Sequence, residues 1–275
     1  MQGARLPHLV FHIPAANHLR QTMVWRRMRH HVALLTSKRE NSHFTGFLRL
    51  PTQFNVLAGA VITSLVSRAT NGGTLRIAVL GCSNGAEAYT IASILTNQHP
   101  GLAFHVRAYD ISAECLRTAK SARYRAEEIF NNRIISIEFV RSTFDEVGDM
   151  FRVKPDIASH VEFGQGNVLS SDLAPTVGVC DIVFAQNVLF HLQRRAARQA
   201  LHNIVALLRR GSVLFIDGVD LDLRAQITRL EGLVPVTDEM ERIHDEARRA
   251  RGVGWPYHYW GLEPFCGERR DAARR

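Results

Sequence analysis

One stretch, residues 75–92 (LRIAVLGCSNGAEAYTIA), constrains the fold more than any other part of the chain. Ile77, Val79 and Leu80 read as a buried strand, Gly81, Ser83 and Gly85 as a turn, and Tyr89, Ile91 and Ala92 as the apolar side of a helix. A strand that runs through glycines into a helix gathers backbone N–H groups at one point, where polar or anionic groups are favoured. Ser83, Asn84 and Glu87 add side-chain partners suited to a ligand with both an amine and a carboxylate. The turn by itself is equally compatible with an ordinary strand-to-helix connection, so the rest of the chain decides.

Strand patterns follow at about 103–110, 161–163, 180–186 and 212–218, and helical patterns at about 113–122 and 196–208, the latter ending in Arg-Arg-Gly. Residues 123–160 read as mixed, with helical stretches and charges. Strands alternating with helices imply an α/β fold with a doubly wound, mostly parallel, Rossmann-like sheet. Ahead of it lies a short helical segment. Val24, Trp25, Met28, Val32 and Leu35 recur at helical spacing with a basic outer face, and an apolar helix is expected at about 53–67. The domain division expected is a helical cap over 1–70 and a nucleoside-binding domain over 71–275. The second domain ends in a charged helix at about 238–251 and an aromatic segment, Trp255, Tyr257, Tyr259 and Trp260 with His258.

Composition removes several classes. Cys82, Cys115, Cys180 and Cys266 are isolated, so neither a disulfide framework nor a structural zinc site is supported, and adjacent His30 and His31 diverge on a helix; no metal is expected. No apolar run reaches the length of a membrane span and no signal peptide is recognisable, which sets a cytoplasmic expectation without a membrane partner. The net charge of +8 sits largely in Arg26, Arg27 and Arg29 and in the RRDAARR end. Without a nucleic-acid module these read as solvated faces, and no nucleic-acid partner is expected. Nothing in the pattern sets an oligomeric state.

In an open α/β sheet, ligands bind at the carboxyl ends of the strands near the point where strand order reverses. Gly81–Gly85, Asp110 with its neighbour Ile111, Asn167 with Val168, and Asn187 all fall at such ends. A carboxylate at Asp110 suits ribose hydroxyls, Asn167–Val168 an adenine ring, and Asn187 an amino-acid moiety. The GCSNG turn is shorter than a dinucleotide fingerprint and no second glycine turn appears. S-adenosylmethionine, which needs one turn, one acidic residue and one adenine slot, fits better.

Five blocks in order also resemble the chemotaxis receptor methyltransferases of the CheR type, over roughly 41–220. FTGFLRLPTQFNVL is similar to their T-x-F-F-R motif, which places Thr45 and Arg49 on matching positions. LGCSNGAEAYTIA resembles A-x-S-x-G-E-E-x-Y-S-I-A, with Glu87 on the second Glu. AYDISAECLRTAKSARY resembles the block with the ribose-binding Asp, here Asp110; EFGQGNVL resembles the adenine-contacting segment; DIVFAQNVLFHL resembles D-x-I-F-C-R-N-V-L-I-Y-F, with Asn187 on the Asn. The resemblance implies S-adenosylmethionine as cofactor. The chain departs from the pattern at His43 (an Asn), Ala86 (the first Glu), Gln186 (an Arg) and His191 (a Tyr). These departures, with the short basic N-terminal segment, point away from receptor glutamates. The expectation is therefore a methyltransferase acting on a small molecule in a biosynthetic pathway, with His191 and Arg49 as catalytic candidates. The alternatives are a cyclase converting the cofactor to methylthioadenosine and azetidine-2-carboxylate, a receptor-glutamate methyltransferase, and a non-catalytic docking module.

Overall fold

A strand whose successive side chains are all apolar can be satisfied only where helices cover both faces of its sheet. β1 (Leu75–Leu80) is such a strand from Ile77 onward, past the exposed Arg76: Ile77 and Val79 enter one buried cluster and Ala78 and Leu80 the other. The computed structural model describes residues 45–68, 73–131, 135–219 and 221–250. The amphipathic segment 24–38, His30, His31, His43, the basic ends and the aromatic segment 255–260 lie outside the described residues.

β2 (Phe104–Asp110) lies beside β1. β3 (Arg123–Arg125), β4 (Phe144–Val147) and β5 (Met150–Val153) form a separate antiparallel sheet in the order β3-β5-β4. β6 (Val161–Gln165), β7 (Cys180–Gln186) and β8 (Leu208–Asp217) complete a five-stranded parallel sheet in the order β6-β2-β1-β7-β8. The chain adds β2 and β6 on one side of β1, then β7 and β8 on the other. The reversal therefore falls between β1 and β7, the place where such sheets bind ligands.

α1 (Pro51–Val56) opens on Pro51, whose fixed φ suits a first helical position, and runs through a π-helical turn (Leu57–Val61) into α2 (Ile62–Arg68). With α3 (Ala86–Gln98) and α4 (Ala113–Ser121) these helices cover one face of the sheet. Four shorter helices follow: α5 (Ala126–Ile129), α6 (Ile137–Thr143), α7 (Pro155–Ala158) and α8 (Leu173–Val177). α8, α9 (Arg194–Val205) and α10 (Leu221–Leu230) cover the opposite face. α11 (Met240–Ala250) lies against α1, where the Glu246 carboxylate accepts from the Thr52 N–H and hydroxyl. Among the described residues no helix is long and apolar enough to cross a membrane.

The parallel doubly wound sheet is as the strand and helix pattern implied. The antiparallel sheet inside 123–160 is not: its strands are three or four residues long, too short for alternation to show. It packs through Tyr124 and Phe144, which meet fully buried Phe47 edge-on at 4.8 and 5.0 Å. The Arg-Arg-Gly expected to end a helix lies inside β8 instead, and α9 stops at Val205. The pairing of β8 shifts register between Cys180 and Ile182, Gly211 takes φ 88°, and Arg209 reaches the buried Asp181 carboxylate. A positive-φ glycine and an ion pair thus carry two arginines along a strand edge.

Candidate functional site

The glycine turn depends on missing side chains at two positions. Gly81 has φ 71°, and a Cβ there would lie 2.4 Å from Val188 Cγ2; Gly85 has φ 88°, and its Cβ would lie 2.9 Å from Phe163 Cζ. The Gly81 and Cys82 N–H groups both donate to the Tyr109 carbonyl, at 2.7 and 3.0 Å, and so clip the turn to the end of β2. Ser83, in the left-handed region at φ 49°, turns its N–H onto Asp110 at 2.7 Å. The Ser112 N–H donates to the other carboxylate oxygen at 2.8 Å. Asp110 is thereby aimed by two backbone groups, and each oxygen keeps a further lone pair for a hydroxyl. Ser83 Oγ is buried with no hydrogen-bond partner among the described residues, an orphan that a ligand in this turn would satisfy.

Beside Asp110, just past the end of β2, Ile111 is 66% exposed. The Gly166 N–H donates to the Asp110 carbonyl at 3.0 Å and the Gln165 amide to the Ile111 carbonyl at 3.2 Å, so the loops after β2 and β6 are joined. Half-buried Val168 follows in the second loop. Asn167 spends its side-chain oxygen on the Leu169 N–H at 2.9 Å, shaping its own loop. Asn203 of α9 donates to the Val168 and Ser170 carbonyls at 2.9 and 3.2 Å. One polar residue among several in an amphipathic helix, it carries no sequence signal of that task.

A second group forms around Glu87 in the first turn of α3. Burial is the main cause that pushes its carboxyl up to about 7; Arg49 opposes the shift and Asp217, at the end of β8, adds to it. Arg49 donates to Asn187 Oδ1 at 3.3 Å, and the Asn187 N–H donates to the Asp217 carbonyl at 3.3 Å. Asn187 holds φ 55°, a left-handed conformation that Asn tolerates better than most residues. Arg49 reaches this place because Leu48, also left-handed at φ 47°, docks its N–H on Thr90 Oγ1 at 3.1 Å. One helical turn further on, Gln53 accepts from the buried Gln186 amide at 2.6 Å. Thr45 is half-buried at the start of this segment, with its carbonyl accepting from Asn131 at 3.4 Å. His191 closes the single-turn helix Leu189–His191 beyond β7 and is half-buried.

Gly81, Ser83, Gly85, Asp110 and Ile111 thus gather on one part of the sheet edge, and Arg49, Glu87 and Asn187 on the adjoining part. Gln53, Asp217 and Asn203 belong to the same construction and were missed, because each is ordinary in its local sequence. Among the described residues no group of side chains could hold a metal ion.

The chain matches the family described as CheR methyltransferase, SAM binding domain, over residues 43–229. It is 33% identical to chemotaxis protein methyltransferase 1 of Pseudomonas aeruginosa, covering 59% of this chain and 60% of that protein. It is 29% identical to a Pseudomonas aeruginosa protein described as "Probable biofilm formation methyltransferase WspC", covering 75% of this chain and 48% of that one. The chemotaxis protein methyltransferase of Escherichia coli is 29% identical, over 63% of this chain and 59% of its own length. The chain therefore spans about half to three fifths of these relatives.

Proposed function

The chain belongs to the CheR methyltransferase family through its S-adenosylmethionine-binding domain, and on that premise we propose that it methylates a side-chain carboxylate of a protein. The observation that carries the cofactor half is the Asp110 carboxylate, aimed by the Ser83 and Ser112 N–H groups beside a glycine turn that a Cβ would fill. The protein acceptor is supported by relatives described as chemotaxis and biofilm methyltransferases. They favour it over the small-molecule acceptor expected from the departures at His43, Ala86, Gln186 and His191 and from the short N-terminal segment.

The residues present suit the cofactor. Asp110 takes the ribose hydroxyls, Ile111 and Val168 cover the adenine, and the loop shaped by Asn167 meets its edge. Ionised Glu87 takes the ammonium, Arg49 and Asn187 take the carboxylate, and Thr45 lies at the start of the same segment. Bound there, S-adenosylmethionine supplies a methyl group already activated by its sulfonium. The chain's own work is then placement and exclusion of water. A carboxylate acceptor is ionised at neutral pH and needs no general base. His191, one turn past Asn187, acts by orienting that acceptor, and Arg49 adds positive potential to hold it.

The test is incubation with methyl-labelled S-adenosylmethionine and a cell extract separated into protein and small-molecule fractions. Label in protein that alkali releases as methanol supports a carboxyl methyl ester. Label confined to small molecules returns the reading to a biosynthetic acceptor, and methylthioadenosine as the sole product would indicate cyclisation instead.

A further inference from the structure

Two hydrogen bonds cross the seam between the start of α1 and the end of β7. One joins Arg49 to Asn187 at 3.3 Å in the site itself. The other joins Gln53 to Gln186 at 2.6 Å and is sealed from water, the two residues being 7% and 8% exposed. At the end of β7 the partners are consecutive residues, Gln186 on the strand and Asn187 just past it; on the other side they are four apart, across the turn that leads into α1.

We propose that the Gln53–Gln186 amide pair is a positioning device that fixes Asn187 and Arg49 for the amino-acid end of the cofactor, a role that rests on the cofactor reading above. An apolar pair of the same size would hold the seam together but would not set its register, because dispersion contacts are non-directional. An amide hydrogen bond prefers one distance and one angle. Asn187 needs that guidance more than most residues, since it sits in the left-handed region, a strained conformation that persists only where its surroundings hold it. Neither glutamine reaches the turn that holds Asp110. Both act through their neighbours, Gln186 through the next residue of the chain and Gln53 through the one-turn link to Arg49.

Burying one unpaired amide is costly, whereas replacing both partners by apolar groups of similar shape is close to neutral. That asymmetry separates positioning from mere structure. Gln53→Met and Gln186→Met each leave one amide unpaired, and each should lower the melting temperature. The double variant Gln53→Met/Gln186→Met should recover most of the loss. The dissociation constant for S-adenosylhomocysteine, read by calorimetry, should stay about tenfold weaker than wild type in the double variant despite the recovered stability, as expected for coupled neighbours. Gln53→Glu, which keeps an acceptor for the Gln186 amide, should restore much of the affinity lost in Gln53→Met. Recovery of both melting temperature and affinity in the double variant would overturn the positioning role and leave a structural one. Failure of the wild type to bind S-adenosylhomocysteine would sink the cofactor reading and this inference together.

Discussion

Glu87 should make the unliganded protein less stable and the liganded protein possible, and the two effects can be measured separately. Its carboxyl is pushed from 4.5 to about 7, mainly by burial, with Asp217 adding to the shift and Arg49 opposing it. A raised folded-state pKa means that the native form binds the proton more tightly than the unfolded chain. Its effect on stability is absent below the unfolded value and becomes a growing cost as pH rises towards the folded one. Linkage gives a cost of about 1.4 kcal/mol at pH 5.5 and about 3 kcal/mol at pH 7.5. Glu87→Gln carries no ionisable group and escapes this cost. In the absence of cofactor it should be more stable to denaturant than wild type, by about 1.4 kcal/mol at pH 5.5 and by about 3 kcal/mol at pH 7.5.

Cofactor binding should respond in the opposite sense. An ammonium needs the carboxylate, and with a pKa of about 7 only about one eleventh of the free protein has it at pH 6, against about three quarters at pH 7.5. Affinity for S-adenosylhomocysteine should rise about eightfold over that interval, because the binding-competent fraction rises by that ratio. Glu87→Gln should bind weakly at both pH values, with the slope gone. A stability gain equal at pH 5.5 and pH 7.5, or wild-type affinity flat between pH 6 and 7.5, would refute the reasoning.

Asp110→Ala should leave the Ser83 and Ser112 N–H groups unpaired and weaken S-adenosylhomocysteine binding by about tenfold to a hundredfold in calorimetry, a loss of 1.5–3 kcal/mol for charge-assisted hydrogen bonds. Gly85→Ala forces a left-handed alanine at φ 88° against Phe163 and Ala119, and should cost about 2–4 kcal/mol in urea unfolding. Glu246→Ala removes the carboxylate that caps α1 at Thr52 and should cost about 1 kcal/mol. If α11 lends nothing to the site, the cofactor affinity of that last variant will match wild type.

What the sequence displays is what local chemistry determines. Gly81 and Gly85 announce a turn because no other residue fits their φ and their neighbours, and the alternation of strand and helix around them specifies the sheet. Asp110 is legible because its place at a strand end follows from that sheet. The small antiparallel sheet and the true extent of β8 are not legible: β3 has three residues, and β8 continues through Arg209 and Arg210 only because Asp181 and Gly211 allow it. Gln53, Asp217 and Asn203 escape for a related reason. Each acts on a residue far away in the chain, and its own surroundings carry no periodicity, glycine or charge pattern that differs from an ordinary helix or strand end. The basis of the acceptor expectation was of this non-local kind too. It rests on the short N-terminal segment and on single replacements at His43, Ala86, Gln186 and His191, without the positions against which they are set.

Two of those replacements become related once they are placed. Ala86 begins α3 directly after the turn that follows β1, and Gln186 ends β7, the strand paired with β1. The family pattern that this sequence resembles has an acid at the first position and an arginine at the second, so the chain has lost one negative and one positive charge from the same sheet edge. Were those two charges partners across the edge, loss of either alone would leave the other buried and unpaired, at a cost of several kcal/mol. Losing both keeps the balance of Arg49 against Glu87 and Asp217 and lets a neutral amide at Gln186 meet a neutral amide at Gln53. On this reading the two changes are expected to be coupled. Restoring either charge singly, as Ala86→Glu or Gln186→Arg, should destabilise the protein more than the sum would suggest when both are present. A double-mutant cycle in urea should show the pair recovering about 1–3 kcal/mol. Strict additivity would mean that the two charges do not meet across this edge and that each replacement arose on its own.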